Sequence, residues 1–154
     1  MVPLIVLLIV FVIAFFVIKS RTKRPDWQAA GRIAMSVMLV FTAVSHFVFT
    51  EGMVQMIPDV FPFKTEIVYM TGILEILFAI GLLIPKYRTL TAWLLIAFFL
   101  AVLPANIKAA MENINYQTGK LNGNGINYLW FRVPLQLFYI AWVYFTSIRE
   151  SKAF

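Results

Sequence analysis

The 154-residue sequence contains no cysteine and a single histidine, His46. The first absence excludes disulfides, thiol exchange, iron-sulfur clusters and Cys-based zinc sites, and the second excludes a bis-His haem. No metal site is therefore expected. Charge is scarce as well: Asp, Glu, Lys and Arg make up 13% of residues, against roughly 25% in soluble domains. The net charge of +6 does not point to nucleic acid. Its basic residues sit mostly in short connectors between apolar runs, where positive charge sets membrane orientation.

What is abundant is apolar: 62% of residues are hydrophobic and 15 are phenylalanine. Five runs approach the ~20 residues that cross a ~30 Å hydrocarbon layer as a helix, at residues 2 to 18, 29 to 49, 67 to 84, 90 to 110 and 127 to 148. The expected fold is an all-α membrane protein with five spans. The first run, VPLIVLLIVFVIAFFVI, lacks a basic leader and is followed at once by KSRTKR, the reverse of a secretory signal, so it reads as a retained anchor. With the N-terminus outside, Lys19, Arg21, Lys23, Arg24, Lys86, Arg88, Arg149 and Lys152 face inward, against Lys64, Lys108 and Lys120 outside. That asymmetry predicts N-outside, C-inside. Too little chain remains outside the spans for a soluble catalytic domain, so the protein works in or on the lipid bilayer.

The organisation predicted is an anchor helix with a basic linker, 1–24, followed by a four-helix membrane domain, 25–154. The first helix has no polar residue between Pro3 and Lys19 and reads as separable from the other four. Of the outward connectors, TEGMVQMIPDVFPFK is expected to lie at the interface or fold over the bundle mouth. MENINYQTGKLNGNG, polar and rich in Gly and Asn, is expected to be a mobile loop. The inner connector PKYR makes the third and fourth spans a hairpin.

Polar residues inside the spans carry the functional question. A carboxylate at the centre of a bilayer helix costs roughly 2.5 to 3.5 kcal/mol unless compensated, yet Glu75 sits within YMTGILEILFAIGLLIP. Arg32, Ser36, Leu39, Ala43 and His46 form one stripe on the second span, and Thr71, Glu75 and Ala79 one on the third. Gly72 and Gly81 permit close helix approach there. Pro104 in LPANIK is expected to expose the carbonyl of Leu100 beside Asn106, and Pro134 in RVPLQ that of Trp130, with Arg132 and Gln136 one turn apart. At a rise of ~1.5 Å per residue, His46 lies ~5 Å below the outer end, Asn106 ~6 Å, Arg132 ~8 Å, Glu75 ~12 Å and Gln136 ~14 Å. Four helices thus deliver polar groups to the outer half of the membrane. A Glu75–Arg132 pair is expected, with Asn106, Gln136 and His46 completing its hydrogen bonds. Arg32 and Lys108 are expected to snorkel to headgroups. The alternative for Glu75 and Arg132 is a structural salt bridge that fixes register, and for Asn106 a recap of the kinked helix.

The ordered motifs SHF (45–47), MIPDVFP (56–62), YMTGILEILFAIGLLIPKYR (69–88), LPAN (103–106) and RVPLQ (132–136) resemble the DoxX-like membrane proteins of bacteria, over about residues 30 to 148. The leading helix departs from that family's four-helix pattern. The resemblance implies a four-helix membrane bundle associated with quinone-linked sulfur oxidation or oxidative-stress complexes, with more remote relatives acting in membrane-protein assembly. It carries His46, Glu75, Asn106, Arg132 and Gln136 over as site residues, with no established catalytic roles, and the missing cysteines argue against a thiol relay.

Three functions follow as expectations. The favoured one is an accessory subunit, not an enzyme on its own, that binds a quinone or other amphiphile such as a lipid and supports a redox partner within a membrane complex. The second is a non-enzymatic assembly or scaffold factor. The third, a small transporter, is weakened because the inner half offers little polarity beyond Arg32 and Ser36.

Overall fold

A computed structural model describes residues 2–149, so Lys152 of the basic inner set lies outside the described residues. Among the described residues the chain is helical, with no strand. The helices are α1 (Val2–Thr22), α2 (Trp27–Val48), α3 (Thr50–Met56), α4 (Lys64–Leu83), α5 (Arg88–Ala101), α6 (Leu103–Met111) and α7 (Leu129–Val143). Four helical stretches are long and apolar enough to cross a membrane: α1, α2, α4, and α5 with α6 taken together, Arg88–Met111. The remaining stretch is a 3-10 turn (Ile126–Tyr128), α7 and a π-helical turn (Tyr144–Ile148) in unbroken succession.

Local chemistry explains the boundaries. Lys23 turns the chain after α1 with a left-handed φ of 57°, and Asp26 then caps α2 by accepting the Ala29 amide at 2.8 Å, a type of bond worth about 1 kcal/mol. Between α5 and α6 the helix breaks at Val102, two residues before Pro104, which cannot donate to the preceding turn.

Packing in an apolar solvent gains nothing from hydrophobic exclusion, so helices are held by close contact and interhelical hydrogen bonds. The stripe on α2 faces the stripe on α4: Ser36 donates to the Ala79 carbonyl at 2.8 Å, and Leu39, Ala43, Glu75 and Ala79 are buried. Gly72 lets the α2 backbone come in close, since a methyl there would stand 2.9 Å from the His46 Cβ. Gly81 does the same where α4 crosses α5, and a methyl there would collide with Thr91.

The first helix lies along α2, Leu7 is fully buried within the main core, and Phe11 meets Trp142 edge-on at 5.0 Å. An all-apolar helix still has two small-to-medium residues, Leu7 and Ala14, that fit the α2 surface. That shape match leaves no mark on a hydropathy pattern.

Arg32 also departs from expectation. At the basic end of the bundle, the π-helical turn leaves carbonyls that its own amides do not reach. Arg32 donates to Thr146 O at 2.7 Å, and Gln28 donates to Phe145 O at 3.1 Å and Arg149 O at 2.7 Å. The arginine therefore closes a helix end.

At the opposite end the two long connectors fold onto each other. The first contains α3, where Gly52 admits the Tyr116 backbone at a distance no side chain would allow. The second, expected to be a mobile loop, is internally bonded: Asn115 N donates to Lys120 O at 2.9 Å, Gly119 N to Asn115 O at 2.8 Å, and Ile114 is buried. Lys108, expected at headgroups, donates to Ile57 O at 3.1 Å and meets Asp59 at 3.3 Å. Asp59 also accepts from Lys64, and that bond, with the nearby Lys108, holds its carboxyl below the usual range.

Gly81→Leu should lower thermal stability in detergent by about 1 to 3 kcal/mol, the cost of overpacking, because Thr91 occupies the space a side chain needs. A depressed carboxyl pKa means that the Asp59 contribution is complete above its unfolded value of ~3.9 and is lost as pH falls through the lower folded value. Protection of the amides in residues 57–63, taken relative to their intrinsic exchange rates at each pH, should therefore fall on acidification into that range, and Asp59→Asn should abolish the pH dependence.

Candidate functional site

The polar residues of the spans fall into two groups. The first lies between α2 and α4. His46 Nδ1 is 3.1 Å from Val68 O and 3.1 Å from Thr71 Oγ1, while Thr71 itself donates to Val68 O at 2.8 Å. A carbonyl only accepts, and the Thr71 hydrogen is already committed, so Nδ1 must carry a proton. That leaves Nε2 aimed at Glu75 Oε2, 3.7 Å away. At a separation beyond direct hydrogen bonding, the two groups form a His46–Glu75 pair between α2 and α4. Its side chains are 17% and 10% exposed, and Glu75 Oε2 has no hydrogen-bond partner among the described residues. Phe47 and Tyr69 stack at 5.8 Å one residue beyond His46 and two before Thr71, flanking the site toward the connector end.

The second group lies among α5, α6 and α7. Arg132 donates to Asn106 Oδ1 at 3.1 Å, and Asn106 Nδ2 donates in turn to Val102 O at 3.1 Å. Gln136 donates to Phe99 O at 2.7 Å. These bonds satisfy carbonyls at the break before Pro104, and the one met by Gln136 belongs to Phe99 rather than to Leu100. Asn106 Nδ2 adds a second donor to Val102 O, which already accepts the Asn106 amide at 3.3 Å.

The expected Glu75–Arg132 ion pair does not form: among the described residues, the basic partner of Glu75 is His46, and Arg132 turns to Asn106. The reason is lateral position. α4 packs against α2 and α5, whereas α7 packs against α2, α5 and α6. Matched depth placed Glu75 and Arg132 at one level but on helices that are not neighbours. All five expected residues are thus at helix contacts, but as two sets.

Two participants were not expected as site residues. Thr71, read from sequence only as a member of the Glu75 stripe, lies 3.1 Å from His46 Nδ1. The Tyr139 hydroxyl is buried with no partner among the described residues, and its spacing of three from Gln136 puts it on the same face of α7.

Fold and site together define a helical protein with helices long and apolar enough to cross a membrane and, between two of them, a buried carboxylate beside a half-buried imidazole. The chain belongs to the family described as a domain of unknown function (DUF8561), whose model matches residues 35–147. The match takes in all five site residues and leaves out α1. No curated protein and no solved structure matches the chain.

The two-set arrangement predicts double-mutant cycles. Glu75→Gln with Arg132→Leu should be additive within about 0.5 kcal/mol in thermal stability, whereas Glu75→Gln with His46→Gln should show coupling of about 0.5 kcal/mol or more, as expected for groups in contact.

Proposed function

We propose that this chain is a DoxX-like accessory subunit of a bacterial inner membrane, with five spans oriented N-outside and C-inside. In this reading α2, α4, the α5–α6 stretch and the helical stretch around α7 form the four-helix bundle, and α1 is an added helix. The protein receives the polar head of a quinone or similar amphiphile at the His46–Glu75 pair, in the outer half of the bilayer, and a redox partner performs the electron chemistry. One observation carries the proposal: Glu75 Oε2 is buried and has no hydrogen-bond partner among the described residues. An intramembrane carboxylate in that condition is a functional feature before it is a stabilising one, since an unmet buried acceptor costs about 1 to 3 kcal/mol. A quinol hydroxyl supplies the donor that Oε2 lacks, with the His46 ring edge beside it. The flanking Phe47 and Tyr69 rings offer apolar faces to the head.

A scaffold role is the second reading, favoured by a different observation. The connector end exposes Val60, Phe61, Phe63 and Trp130, large apolar side chains beside a folded cap, of the kind that meets another membrane protein or the interface itself.

Photolabelling with an azidoquinone in detergent distinguishes them. Glu75→Gln and His46→Gln should each reduce labelling about ten-fold, the worth of one hydrogen bond to a charged group, with helicity unchanged. Labelling that is equal in wild type and both variants would remove the ligand reading and leave the scaffold.

A further inference from the structure

At the basic end of the bundle, on the side away from the His46–Glu75 pair, α1 and the end of α7 do not close against each other. They leave a groove of about 310 Å³ lined by Phe11, Trp27, Phe138, Ala141, Trp142 and Phe145. The volume falls at the low end of ligand sites, roughly 300 to 1,000 Å³. Its polar atoms are already committed: Trp142 Nε1 donates to Gly31 O at 3.0 Å and Thr146 Oγ1 to Trp142 O at 2.7 Å. The groove wall therefore calls for hydrocarbon.

The mouth calls for negative charge. The Arg149 guanidinium lies over the ring of Phe145, 5.5 Å from its centroid, so a fixed cation stands at the edge of an aromatic that lines the groove. Lys19 and Arg21 occupy the last turn of α1, the helix that forms the other wall. Trp27, exposed at the start of α2, sits where aromatic rings meet headgroups.

We infer that this groove is a binding site for an anionic phospholipid, with one acyl chain along Phe11, Phe138 and Trp142 and the phosphate against Arg149, Lys19 and Arg21. The combination of a dry aromatic wall and a cationic rim selects that occupant over a second copy set alongside, whose own basic end would bring like charge to the rim. Bound there, the lipid joins α1 to the end of α7, whose direct contact is otherwise limited to rings such as Phe11 on Trp142.

The test uses the full-length protein in detergent, exchanged into mixtures of phosphatidylglycerol and phosphatidylcholine with identical chains, with retained lipids counted by native mass spectrometry. Wild type should keep phosphatidylglycerol preferentially. Arg149→Gln should lower its retention roughly five-fold, the effect of one basic residue near a membrane surface, and leave phosphatidylcholine unchanged. Ala141→Phe, at an exposed position, should fill the groove and lower retention of both lipids. Equal retention of the two lipids by wild type, or variants that retain as much as wild type, would overturn the assignment. So would a dimer that Ala141→Phe dissociates without changing lipid retention, an outcome that gives the groove to a second copy. Circular dichroism of each variant confirms that the helices remain, so that any loss is one of binding.

Discussion

The contact between α2 and α4 is the constraint on which the rest depends. Ser36 and His46, three turns apart, each reach a carbonyl of α4, and Gly72 lets the two backbones approach closely enough for both bonds. In hydrocarbon a hydroxyl or imidazole has no water to fall back on, so these bonds fix the register of the helices as well as holding them. Once that register is set, Glu75 has no choice of partner: it comes to His46.

The same rule governs both ends of the molecule. At the basic end Arg32 and Gln28 close the carbonyls opened by the π-helical turn. Around the break before Pro104, Asn106 adds a donor to Val102 O and Gln136 donates to Phe99 O. Residues that look like a functional constellation when written along the chain are therefore partly employed as internal caps. Among the described residues, Glu75 Oε2, Arg88 Nε and the Tyr139 hydroxyl are left over from this accounting. A leftover acceptor in a buried position is what separates the α2–α4 site from the other polar contacts, because capping gives every other site residue a protein partner and gives this oxygen none.

Much of the fold was legible because the periodicities involved are local. The runs at 2 to 18, 29 to 49 and 67 to 84 became α1, α2 and α4 within a few residues, and the stripes on α2 and α4 face each other as their spacing implied. Gly72 and Gly81 sit at close crossings for the reason a small residue does so in any membrane bundle. The site residues were legible as polar groups that apolar surroundings cannot leave unpaired. Their partners were not, since depth along a helix follows from residue number but the neighbour at that depth depends on which helix stands beside it.

What the sequence by itself determined is the set of apolar helices, their approximate ends and the five polar residues that had to turn inward, because hydropathy and helical period are properties of a segment alone. Tertiary structure decided that Glu75 meets His46 while Arg132 meets Asn106, that α1 lies along α2, and that the Asn-rich connector folds over the end of the bundle. Those outcomes rest on the lateral order of the helices and on shape matches such as Gly52 against the Tyr116 backbone. Contacts between distant segments are the product of packing, and no single segment contains them.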